Sequence, residues 1–102
     1  MDSLLEIKIA LHFKGTEITY GKFALGTERQ TALDTFNLLK GRTERSGTCM
    51  IQMVLTHEVA GLPIPLATIF CNLKELKENV AIISKEIFRI SKLEEIGMSA
   101  FE

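Results

Sequence analysis

Thr27-Glu28-Arg29-Gln30 and Asn72-Leu73-Lys74-Glu75 each read as a capping box, and together they decide the fold. In such a box the first side chain accepts a bond from an early helix N–H, while the residue three positions on reaches back to the first. Each box follows a pair of strand-like runs, so the element order reads strand, strand, helix, strand, strand, helix. That order specifies an α+β domain: a four-stranded antiparallel sheet, made of two hairpins, with two helices on one face. Strand order is not fixed by the sequence, and an alternative closes the sheet toward a barrel around the last helix.

The first run gives the cleanest strand signal. Leu5, Ile7, Ile9, Leu11 and Phe13 alternate with Glu6, Lys8, Ala10, His12 and Lys14, as one buried and one mostly wet face require. After a turn at Lys14-Gly15-Thr16 the second strand changes phase, with Ile18 and Tyr20 on one parity and Phe23 and Leu25 on the other. An inserted residue restores a common face, which predicts a β-bulge at Gly21 in a backbone conformation open mainly to glycine. Gly26 ends the strand. Ala32, Leu33, Phe36 and Leu39 form the stripe of the first helix, and Gly41 sits where a left-handed C-terminal residue belongs. The segment from Lys40 to Gly47 reads as a polar, mobile loop.

The third strand runs over Thr48 to Glu58, with Ile51, Met53 and Leu55 facing inward. The fourth runs from about Ile64 to Cys71, turned by Ala60-Gly61, with Pro63 at its start and Pro65 inside. Proline lacks the ladder donor, which puts this strand at a sheet edge or bulge. Leu73, Leu76, Val80, Ile83, Ile87 and Ile90, widened by Ala81 and Phe88, give a last helix ending near Ile96. The seam lasts only about two and a half heptads, so core packing is preferred to a coiled coil. The inward set of the strands comprises Leu5, Ile7, Ile9, Leu11, Phe13, Ile18, Phe23, Leu25, Ile51, Met53, Leu55, Leu66 and Phe70.

At 102 residues the chain reads as one domain over 1–102, with 97–102 a short C-terminal tail. Twelve Lys and Arg against thirteen Asp and Glu leave a net charge of −1, which offers no general field for nucleic acid or anionic membrane. No apolar run has the length and continuity of a membrane span, and the start does not read as a signal peptide. The expected location is therefore cytoplasmic, with Cys49 and Cys71 as buried, unreactive thiols rather than a disulfide.

The chain contains no recognisable reaction centre. Gly15 and Gly21-Lys22 have five intervening residues and Phe23 after the lysine, which does not match a phosphate loop. A metal site would have to assemble Cys49, Cys71, His12 and His57 from separate strands. An acid–base pair of His12 and Glu58 is less expected than a solvated ion pair. No catalytic, cofactor-binding or metal-binding residue is assigned, and the chain reads as a non-enzyme needing no cofactor. A weak basic patch at Arg29, Lys40, Arg42 and Arg45 offers a nucleic-acid surface, disfavoured by Glu28 and Glu44.

The favoured function is a small interaction or assembly module, acting as a homodimer or as an accessory subunit to an unidentified protein. The helix from Leu73 to Ile96 is about 36 Å long, while strands of this size span about 27 Å. Its last turns would overhang the sheet. Ile90, Leu93, Ile96, Met98 and Phe101 there, and Met50, Val54, Ala67 and Ile69 assigned to the outer sheet face, form the candidate interface. The alternatives are a nucleic-acid accessory protein using the Arg42–Arg45 loop and a small-molecule-binding or catalytic domain using the outer sheet face.

Tyr20-Gly21-Lys22-Phe23-Ala24-Leu25-Gly26 and Phe36-Asn37-Leu38-Leu39-Lys40-Gly41 resemble a family of small uncharacterised bacterial proteins. Its members share a glycine-containing strand ending in Leu-Gly and a helix ending in Leu-Lys-Gly. The resemblance covers the middle third of the chain. It supports the strand and helix assignments and implies no activity.

Overall fold

Leu5 to Phe13 form strand β1, as their alternation predicts, in a computed structural model that describes residues 4–45, 47 and 50–91. The remaining elements are β2 (Thr16–Ala24), α1 (Arg29–Phe36), β3 (Ile51–Val59), β4 (Leu62–Cys71) and α2 (Leu73–Ser91). The order is ββαββα, and every strand pair is antiparallel. The sheet runs β2-β1-β3-β4, an open sheet rather than a barrel around α2. The central strands β1 and β3 are thus the two with the most regular apolar alternation.

Both hairpins close through two-residue turns whose central residues have positive φ. Lys14 and Gly15 sit at φ 49° and 76°, and Ala60 and Gly61 at 54° and 82°. Such turns match the right-handed twist of the strands they join. Each hairpin also carries one extra residue. Ile9 pairs with Gly21 and Ala10 with Thr19, so Tyr20 is the inserted residue in β2. Leu55 pairs with Ala67 and Thr56 with Pro65, so Leu66 is inserted in β4. The expected bulge is present, but Gly21 does not adopt a left-handed φ and a Cβ there would meet open space. The bulge therefore makes no demand for glycine.

Leu5, Ile7, Ile9, Ile51, Met53 and Leu55 are buried beneath Ala32 and Phe36 of α1 and Leu76 and Ile83 of α2. The second bulge changes what β4 contributes. Cys71, Ile69 and Ala67 pair with Ile51, Met53 and Leu55 and join the core, whereas Phe70 lies across from Gln52 on the outer face. This corrects the assignment of Phe70 as inward and of Ala67 and Ile69 as outer-face residues: Gln52 and Phe70 share one parity, Met53 and Ile69 the other. Phe13, Ile18, Leu73 and Phe88 are also exposed rather than core.

The two helix starts differ. Asn72 Oδ1 accepts from Glu75 N at 2.9 Å, and Glu75 Oε1 accepts from Asn72 N at 3.0 Å, a closed capping box. At α1 the cap is one residue later than Thr27: Glu28 accepts from Thr31 N at 3.0 Å. α1 ends at Phe36 with an αR residue, Asn37, at its C-cap, so Gly41 is not a left-handed terminator. Its role is close approach. Residue 42 bridges β4, Arg42 and Phe70 exchanging both backbone bonds at 2.8 Å. A Cβ on Gly41 would lie 2.8 Å from the Phe70 carbonyl oxygen. The start of the expected mobile loop is thus pinned to the sheet edge.

Candidate functional site

Register decides where the surface is incomplete. Leu11, Ile51 and Cys71 lie side by side across three strands, and α2 starts at Leu73, just after that row. The helix then runs toward Gly26, where a Cβ would stand 3.8 Å from Ile90 Cγ2. β1 and β2, however, continue past Leu11 to Phe13 and back from Thr16. Among the described residues, no helix lies above the inward-facing side chains of this overhang.

A groove of about 470 Å³ opens there, lined by Leu11, His12, Phe13, Ile18, Met50, Ile51, Asn72 and Leu73. Leu73 is 62% exposed, Phe13 52% and Ile18 51%, with Met50 at 42% on the rim and Tyr20 at 57% on the neighbouring strand. Contiguous apolar patches exposed on small domains are found at interaction sites and at ligand-binding grooves. The polar groups at its margin are few. His12 Nε2 lies 2.6 Å from Gln52 Oε1 and 3.8 Å from Glu17 Oε1, and Asn72 is engaged in its cap. The groove offers mainly apolar contact area, with the His12–Glu17 pair at its margin.

The other sequence-predicted groups do not converge. His12 and Glu58 lie at opposite ends of the sheet, His12 N donating to Met50 O and Glu58 N to Leu4 O. His57 pairs with Leu5, also remote from His12. Cys71 is buried, and Cys49 lies outside the described residues. Among the described residues no three His, Cys, Asp or Glu side chains are grouped as a metal site would require, and no helix is long and apolar enough to cross a membrane.

Two members of the basic patch lie against α2. Lys40 Nζ pairs with Glu78 at 2.6 Å and Arg42 with Glu75 at 2.8 Å. The Glu78 carboxylate holds the Lys40 ammonium above its ordinary pKa. The Arg42 guanidinium, helped by the Asn72 backbone N–H, holds the Glu75 carboxyl below the usual range. Arg29 and Arg45 are exposed on other segments. The patch is interleaved with carboxylates, a poor counter-surface for a phosphate backbone.

Of the candidate interface, Met50 and Val54 remain on or beside the outer face, with Val54 lining a second groove among Glu6, Lys8 and Lys22. Ala67 and Ile69 belong to the core. Ile90 is half-buried, and Leu93, Ile96, Met98 and Phe101 lie outside the described residues. Sequence reasoning placed Phe13, Ile18 and Leu73 in the core because alternation reports which face a residue takes, not whether anything covers it. No sequence signal reports this, because the overhang follows from the register of β1 against β3 and β4.

Compared with family models, curated proteins and solved structures, the chain matches none of them.

Proposed function

We propose that this chain is a small interaction module that associates with a second copy of itself through the uncovered end of its sheet. The observation that supports this most is the coincidence of Phe13, Ile18 and Leu73, each more than half exposed, around one apolar groove. Burying an apolar surface of this kind contributes about 25 cal/mol per Å², and isologous contact is the commonest arrangement for a soluble oligomer. A catalytic role has less support, since the groove brings mostly apolar groups together and the nearest neighbour of the His12 ring is the Gln52 amide, with Glu17 further off. The sequence alone points to the last turns of α2 or to the outer sheet face; the favoured contact is instead at the inner face beside the start of α2.

Size-exclusion chromatography with light scattering tests this on the full chain and on an Ile18→Glu, Leu73→Glu variant. The expected result is a dimeric parent at tens of micromolar and a folded, monomeric variant. A monomeric parent at that concentration overturns the proposal.

A further inference from the structure

The two edges of the sheet are unequal. β4 is guarded: Pro63 and Pro65 lack N–H donors, and Arg42 already occupies the backbone of Phe70. β2 is nine residues long, contains no proline, and is exposed over most of its length. We infer that a second copy adds its own β2 to this edge, antiparallel, in the register that sets Glu17 opposite Lys22 of the second copy and Lys22 opposite its Glu17. This deepens the self-association reading and rests on it.

Backbone direction selects these residues. His12 N donates to Met50 O, so the backbone groups of His12 face β3. Its β2 partner, Glu17, then turns its own N–H and C=O away from β1, toward the free edge. Lys8 is two alternations back along β1, so its partner Lys22 is likewise turned outward. Both residues can therefore form hydrogen-bonded pairs with a new strand.

The bulge makes the register possible. In a regular strand Glu17 and Lys22 would point to opposite faces, and pairing them about a two-fold axis would set an inward side chain against an outward one. Insertion of Tyr20 brings both onto the outer face, where Glu17 Oε2 lies 3.3 Å from Lys8 Nζ and Lys22 pairs across from Lys8. The axis then falls between Thr19 and Tyr20.

Charge and apolar pattern agree with that register. Lys22 stands across from Lys8, a like-charged neighbour, and among the described residues no carboxylate pairs with it. Glu17 of the second copy would supply one, twice over by symmetry. On the inner face Ile18 meets Gly21 of the second copy, which has no side chain to obstruct it. Thr16 meets Phe23 of the second copy, beside the exposed Phe13. The two sheets become one continuous sheet, and the apolar rows of the inner face run across the junction.

The test uses charge reversal and mixing on the full chain. Glu17→Lys and Lys22→Glu each place two like-charged pairs at the junction and should each weaken dimerisation about tenfold or more. Mixed one to one, the two variants restore both opposite-charge pairs, and heterodimers should form with close to the parent's affinity. Both substitutions lie on exposed side chains, and unchanged circular dichroism controls for folding. Dimers that persist in both single variants, or a mixture that fails to recover, overturn the register while leaving self-association in place. A parent that is monomeric overturns both.

Discussion

The side chain of Asn79, fully buried in α2, bonds the backbone of Lys40 at two points. Asn79 Oδ1 accepts from Lys40 N at 2.7 Å, and Asn79 Nδ2 donates to Lys40 O at 2.8 Å. The amide thus imitates a neighbouring strand and satisfies a backbone that leaves α1 with no ladder of its own. Removing it strands a donor and an acceptor under the helix. Asn79→Ala should cost about 2–3 kcal/mol in urea unfolding. Asn79→Asp should cost at least as much, because it buries a carboxylate without a counter-charge and sets its second oxygen against Lys40 O. Parent-like stability for either variant would contradict the role assigned here.

Gly41 and Gly21 should behave oppositely. A methyl at residue 41 would collide with the Phe70 carbonyl and the Ile69 side chain, while one at residue 21 meets nothing within 4 Å. Gly41→Ala should lose about 1–3 kcal/mol, and Gly21→Ala should stay within about 0.5 kcal/mol of the parent. Chemical denaturation of the two variants side by side decides between this and the sequence-based expectation that residue 21 is the intolerant one.

The hairpin turns can be improved. Lys14 at φ 49° and Ala60 at φ 54° hold a left-handed conformation that L-residues with a Cβ resist. Asparagine tolerates it. Ala60→Asn and Lys14→Asn should each raise stability by about 0.5–1 kcal/mol, read as a shift in the denaturation midpoint. A loss at either site would mean the turn geometry differs in solution.

Acid should weaken the junction between α2 and the 40–42 segment. The pKa of Glu75 is lowered in the folded protein, first by the hydrogen bond from Arg42 and then by the Asn72 N–H. A lowered carboxylate contributes stability that is fully present above its unfolded value of about 4.3 and is lost as pH falls through the lower folded value. Glu75→Gln keeps a capping acceptor but removes the titration. Its stability should fall by less than about 1 kcal/mol at neutral pH, and its loss of stability below pH about 4.3 should be shallower than the parent's. Parallel acid profiles for the two proteins would rule out this linkage.

Much of this architecture was legible because the chain's local signals agree with one another. The alternation from Leu5 to Phe13, the Asn72–Glu75 box and the two prolines of β4 each correspond to a feature of the fold. The errors share a physical origin. Thr27 lost the cap to Glu28 because either side chain can serve and only the backbone angle decides. Ala67 and Ile69 exchanged faces with Phe70 because a bulge at Leu66 is silent in a strand that already contains proline. The groove was not foreseen because Phe13, Ile18 and Leu73 carry a core pattern, and their exposure depends on register between strands far apart in sequence. Asn79 gave no signal at all, since a lone asparagine on a helix normally faces water.

Amide hydrogen exchange at Glu17 and Lys22, followed on the full chain across a dilution series, reads out the β2 junction itself. Both N–H groups face away from β1, and among the described residues of one copy nothing accepts from them. Both amides should be protected in concentrated solution, the protection fading together on dilution as the dimer dissociates. Fast exchange of both at every concentration, with the amides of β1 and β3 protected throughout, would contradict it.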